Sequence, residues 1–161
     1  MAALAAHAHW FGRLRPLALV LSVLFASTAL PALAQAPVAA NAGFRVRIIE
    51  GTKGGTARVD DRVSDLRREL EALHHDYNTF SLVSDHNLRI NLGQRSAIKL
   101  PDGSDMAITL LELVAGPPMR VRHQLELPKS RTVRAVAPGG RTLDVRPWAD
   151  KLVIICTSVE K

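Results

Sequence analysis

Four histidines, His74, His75, His86 and His123, follow one another within fifty residues, and Asp76 and Asp85 adjoin the first three. Imidazole and carboxylate together suit zinc or copper. His74, His75, His86, Asp76 and Asp85 are therefore a candidate metal set, as a metal-dependent enzyme or metal-binding protein would carry. A catalytic zinc keeps three protein ligands, so at least three of these groups must converge on one point. Adjacent His74 and His75 diverge at a helix end and do not form the i, i+4 pair of a helical metal site. The plainer reading puts them at the negative end of a helix dipole with no ligand role. His123 alternates with polar residues on the apolar side of a strand pattern, as a hydrogen-bonded core histidine would.

Arginine supplies the second pattern. Arg45 and Arg47 flank Val46, and Arg120 and Arg122 flank Val121, so each pair projects from one side of a strand. With Arg89 they are the candidate residues for an anionic partner, provided one face presents them together. A solvated strand face is the plainer alternative.

Other chemistry finds little support. Cys156 is the only thiol and lies within the apolar run LVIICTSV, where burial raises a thiol pKa and makes it inert. No serine occupies a G-x-S-x-G elbow. The loop Gly51-Thr52-Lys53-Gly54-Gly55-Thr56 lacks the G-K-[ST] ending of a phosphate-binding loop. No cofactor is expected, and the absence of a catalytic constellation points away from an enzyme.

These residues need a β-rich scaffold. Phe44 to Ile48 alternates apolar with basic, and Ile49 breaks the alternation, which signals a bulge or burial on both faces. Asp60 and Asp61 offer N-caps to a helix of about three turns. Val63, Leu66, Leu70 and Leu73 make its apolar stripe. Strands are predicted at 79–84, 88–92, 96–100, 106–114, 119–127, 132–137, 142–145 and 152–156. Pro101-Asp102-Gly103-Ser104, Gly116-Pro117-Pro118 and Pro138-Gly139-Gly140 punctuate them. The segment 106–114 reads as a central strand, 142–145 as an edge, and 152–156 as buried on both faces. The expected fold is mainly β, a small antiparallel β-sandwich or barrel-like domain of about seven to eight strands. One amphipathic helix follows the first strand and covers an open end or edge.

Composition sets the frame. The chain has 161 residues, 47% hydrophobic and 22% charged, with a net charge of +6 and one cysteine. One cysteine excludes an internal disulfide framework and a Cys-rich zinc site. Arg13 and Arg15 precede the apolar run Leu17–Leu30, and Ala32-Leu33-Ala34 supplies a small-residue cleavage motif. That is the order of a secretory signal peptide, and the run is short for a membrane span. Cleavage is expected after Ala34, followed by a flexible lead-in over 35–43 and a single domain over 44–161. No transmembrane segment would then remain. Loss of Arg13 and Arg15 lowers the net charge from +6 to +4. So small an excess, with few aromatics to stack on bases, argues against nucleic acid. The expectation is an exported, non-catalytic module of the bacterial envelope or secreted space. It would be periplasmic or secreted through the general secretory pathway, and its partner a protein or an anionic envelope component.

Overall fold

The computed structural model describes residues 40–73 and 76–161. The expected signal peptide, most of the lead-in, His74 and His75 lie outside the described residues. Among the described residues, nine strands form two sheets. The element order is β1 (Asn41–Thr52), β2 (Arg58–Val59), a 3-10 turn (Asp61–Leu66), α1 (Arg67–Leu73), β3 (Thr79–Asn91), β4 (Arg95–Lys99) and β5 (Asp105–Val114). The remaining strands are β6 (Arg120–Leu127), β7 (Ser130–Val136), β8 (Arg141–Trp148) and β9 (Lys151–Val159). One sheet has the order β2-β3-β1-β9-β8 and the other β4-β5-β6-β7. The pairings between strands are antiparallel except the short β2–β3 contact, and an isolated parallel bridge joins Leu92 to Leu110.

The fold is the mainly β sandwich expected, with one helical segment after the first strand. The sheets meet at a corner after β3, where Gly93 N donates to Leu110 O at 2.8 Å. Gly93 has φ +75°, a left-handed conformation glycine adopts without a Cβ penalty.

Two apolar layers explain the strand patterns. Between the sheets lie Phe44, Val46, Ile48, Ile90, Met106, Ile108, Leu110, Val121, Leu125, Val153 and Ile155. On the other side of the five-stranded sheet, Val63, Leu66 and Leu70 pack against Ile49, Phe80, Leu152, Ile154 and Cys156. Each fully buried aliphatic side chain contributes about 1.5–3 kcal/mol relative to exposure. β1 and β9 sit inside the sheet with apolar material on both faces, so neighbouring residues such as Ile48 and Ile49, or Ile154 and Ile155, are all buried. The break at Ile49 is also a bulge: Ile48 pairs with Ser84 and Ile49 with Leu82, leaving Val83 as the extra residue on β3.

Several expectations need correction. The helical segment lies over a sheet face and not over an open end or edge, because Val63, Leu66 and Leu70 find their apolar counterpart on β1, β3 and β9. It opens as a 3-10 turn: Asp60 caps it by accepting from Arg62 N at 2.9 Å, and Val63 leaves helical geometry at φ −124°. The separate strands at 79–84 and 88–92 are one strand, β3, since Asp85, His86 and Asn87 keep pairing with Arg47, Val46 and Arg45. β1 begins at Asn41, ahead of the expected start at residue 44. β2 carries no period-2 pattern over its two residues and escapes sequence reading. β5 is interior to its sheet and β8 is an edge, as expected, and Pro147 is tolerated there because an edge strand leaves one side of the ladder unpaired. Among the described residues, no helix is long and apolar enough to cross a membrane.

Candidate functional site

The antiparallel ladders decide which side chains share a face, because directly opposed residues project to the same side. Arg45, Arg47 and Arg89 lie on the helix side of the five-stranded sheet. Arg120 and Arg122 alternate with inward-facing Val121 and His123, so they lie on the outer side of the four-stranded sheet. The five candidate arginines thus occupy opposite outer surfaces of the sandwich, and no single face presents all of them.

The two sets differ in what they touch. Arg45 donates from Nε and Nη2 to Asp85, with a shortest contact of 2.6 Å, and this pairing holds Asp85 below the usual carboxylate range. Arg47 is only 3% exposed. It grips Asp65 of the 3-10 turn with both prongs of its guanidinium, Nη1–Oδ1 at 2.6 Å and Nη2–Oδ2 at 2.9 Å. Arg141 of β8 reaches the same carboxylate at 3.1 Å and also bonds Glu69 of α1. The hydrogen bonds from Arg47, followed by the charges of both arginines, lower the Asp65 pKa. Arg47 is therefore a buried strut that ties the helical segment to the sheet, and it is not available to a partner. Arg89 stays exposed on β3.

The four-stranded sheet has an open outer face. β4 contributes Arg95, Ala97 and Lys99, β5 contributes Asp105, Ala107, Thr109 and Glu112, β6 contributes Arg120, Arg122, Gln124 and Glu126, and β7 contributes Arg131, Val133 and Ala135. Five cations meet three carboxylates there. Glu126 accepts from Arg95 at 3.1 Å and pairs with Arg131 at 2.7 Å, an arrangement that lowers its pKa. Lys99 pairs with Asp105 at 2.9 Å and Arg122 with Glu112 at 3.3 Å. Among the described residues, Arg120 has no carboxylate within ion-pair distance. These exposed pairs are worth about 0–1 kcal/mol each, so a partner can exchange them at little cost. Small side chains lie among the charged ones: Ala97 and Ala135 are exposed, Thr109 is half-buried and Ala107 is fully covered. At its edge a depression of about 480 Å³ is lined by Arg95, Asp105, Glu126, Lys129, Ser130 and Arg131.

The candidate metal set does not assemble from the residues that are described. Asp85 points to the helix side beside Arg45, whereas the adjacent His86 opposes Val46 and points between the sheets. Asp76 sits exposed in the turn after α1. Among the described residues, no group of three His, Cys, Asp or Glu side chains is placed to hold a metal ion. His74 and His75 lie outside the described residues.

His123 is in the core, 1% exposed, with its ring edge-to-face against Phe44 at 5.3 Å between centroids. Burial is the main cause that depresses its pKa. Sequence reasoning missed its neighbours. Arg134 opposes it across the β6–β7 ladder and donates to Asp144 Oδ1 of β8 at 2.6 Å, joining the two sheets. Burial outweighs that pairing and raises the Asp144 pKa. The available signal was Thr142, Asp144 and Arg146 at alternate positions of β8, a polar row on the side that turns inward. Cys156 is a free, buried thiol in the layer beneath the helical segment.

The fold and its surfaces define a class: a two-sheet antiparallel sandwich, covered by a helical segment on one face and carrying an open, arginine-bearing sheet on the other. Comparison with known proteins adds nothing to that class, since no family model, curated protein or solved structure matches the chain.

Proposed function

We propose that this chain is an exported, non-catalytic β-sandwich module that binds an anionic component of the bacterial envelope through the open face of its four-stranded sheet. The observation that carries the reading is that face itself. It has no covering layer among the described residues, and it holds Arg95, Lys99, Arg120, Arg122 and Arg131 against three carboxylates. Guanidinium forks suit carboxylate, phosphate and sulfate groups because they donate two parallel hydrogen bonds. Arg120 is free to do so, and Arg95 and Arg131 keep donors beyond those engaged by Glu126. Arg45 and Arg47 drop out of the binding set, because both lie on the helix side of the sandwich and Arg47 is buried there against Asp65. Export rests on the order of basic, apolar and small residues over 1–34.

The test is co-sedimentation of the purified protein with an envelope fraction, comparing wild type with the double variant Arg120→Glu/Arg122→Glu. The reading expects binding that weakens with salt and is lost in the variant, since a Debye length of about 10 Å at 0.1 M screens surface charge. Equal binding by both proteins at all salt concentrations would refute it.

A further inference from the structure

Among the described residues, seven buried side-chain nitrogen or oxygen atoms lack a hydrogen-bond partner. Six of them point between the sheets: His86 Nε2, His123 Nδ1, Thr142 Oγ1, Asp144 Oδ2, Arg146 Nη1 and Thr157 Oγ1. Their inward direction follows from the ladders. Thr142, Asp144 and Arg146 oppose Thr157, Ile155 and Val153, and Thr157 and His86 both oppose Val46. Val46, Val153 and Ile155 belong to the inter-sheet core.

Four of these atoms are linked through the ladders and the Arg134–Asp144 pair. His123 opposes Arg134 on β7, and Arg134 bonds Asp144 across the sandwich at 2.6 Å, leaving Asp144 Oδ2 unused. Thr142 lies two residues before Asp144 on the same side of β8, roughly 7 Å along the strand. Thr157 opposes Thr142 on β9. His123 and Thr157 are each 1% exposed, and the Asp144 side chain is 12% exposed. A polar group buried without a partner costs about 1–3 kcal/mol, so four such groups would cost about 4–12 kcal/mol, comparable with the whole stability of a small domain. The remedy open to such a patch is a shared small hydrogen-bonding molecule. The four atoms present one anionic acceptor, two hydroxyls able to donate or accept, and one imidazole nitrogen able to do either. Water can donate to or accept from each of them, and buried water characteristically makes about three hydrogen bonds to otherwise unsatisfied groups.

We infer that the β8 side of the sandwich interior is a hydration site, in which enclosed water is held by His123 Nδ1, Asp144 Oδ2, Thr142 Oγ1 and Thr157 Oγ1. Such water separates the imidazole from the carboxylate while Arg134 holds the carboxylate in place. Arg146 and Asp102, 3.8 Å apart, form the charged rim of this region along β8.

The substitution Thr157→Val distinguishes a wet site from a dry one by sign. Valine matches threonine in shape and removes only the hydroxyl. If the hydroxyl holds water, Thr157→Val lowers Tm; if the site is dry, removing an orphaned polar atom raises Tm or leaves it unchanged. A second measurement on the wild-type protein looks for long-lived water cross-peaks to the Thr157 methyl and the His123 ring protons by nuclear magnetic resonance. A lowered Tm together with such cross-peaks is the expected result. A Tm at or above wild type, or no water cross-peak at either residue, overturns the inference.

Discussion

Removing the Asp65 carboxylate should harm the protein more than removing the arginine it serves. Arg47 projects from β1 into the layer beneath the helical segment and is 3% exposed, and Asp65 is its only carboxylate partner within ion-pair distance among the described residues. In Asp65→Ala the guanidinium stays buried without its counter-charge, a situation that costs about 3–5 kcal/mol when both partners are enclosed. The Asp65 side chain is 52% exposed, so water can enter beside the stranded arginine and the expected loss is about 2–3 kcal/mol. In Arg47→Met the charge goes with the side chain and the aliphatic stem is largely replaced. Asp65 is then left half in water and still beside Arg141 at 3.1 Å, so the expected loss is about 1 kcal/mol or less. The assay is equilibrium unfolding in urea at pH 7 with unchanged m-values as the check on two-state behaviour. An Asp65→Ala loss below about 0.5 kcal/mol, or a larger loss in Arg47→Met than in Asp65→Ala, would refute the view of Arg47 as a buried strut.

Other consequences can be checked with ordinary measurements. Burial depresses the His123 pKa, so below about pH 6.5 the unfolded chain takes up a proton that the folded chain refuses. Stability should therefore fall on acidification with a slope of up to about 1.4 kcal/mol per pH unit from this residue, and His123→Leu should flatten the unfolding free energy between pH 7 and pH 5 relative to wild type. Asp144, whose pKa is raised by burial, acts with the opposite sign: its folded form gains protons first, so Asp144→Asn should remove a contribution that grows as pH falls toward the carboxylate range. Leu66→Ala and Leu70→Ala, both at fully buried positions under the helix layer, should each cost about 2–5 kcal/mol in chemical denaturation. Expression in a secreting host should yield an intact mass that begins at Gln35, and a mass retaining Met1 in the exported fraction would contradict the reading of the first 34 residues.

Much of the fold was legible because period-2 alternation survives wherever one strand face is apolar. The segments that became β5, β6 and β9 were placed within a few residues, and the double-sided burial of Leu152 to Cys156 followed from an unbroken apolar run. The position of the helix was not legible. Its stripe of Val63, Leu66, Leu70 and Leu73 announces an apolar counterpart but not whether that is a sheet face or an opening. β8 shows the same limit. Leu143 and Val145 turn toward the helix layer while Thr142, Asp144 and Arg146 turn between the sheets. A strand pattern gives two sides and leaves open which side meets which layer. The candidate arginines divided for a related reason. Spacing within β1 or β6 fixes a side of each strand, whereas the relation between strands of different sheets is decided by topology. The Arg47–Asp65–Arg141 cluster joins residues far apart in the chain, and nothing local to any of them signals the others.

Face-specific affinity tests the central claim most directly. The purified protein would be titrated against vesicles of anionic and of neutral phospholipid at low and at physiological salt, alongside two charge-reversal variants. Arg120→Glu alters the open face of the four-stranded sheet, and Arg89→Glu alters the opposite side of the sandwich. The account predicts binding to the anionic vesicles alone, weakened at least tenfold (about 1.4 kcal/mol) by Arg120→Glu and left near wild type by Arg89→Glu. Equal losses in both variants, or no binding to any anionic surface, would contradict it.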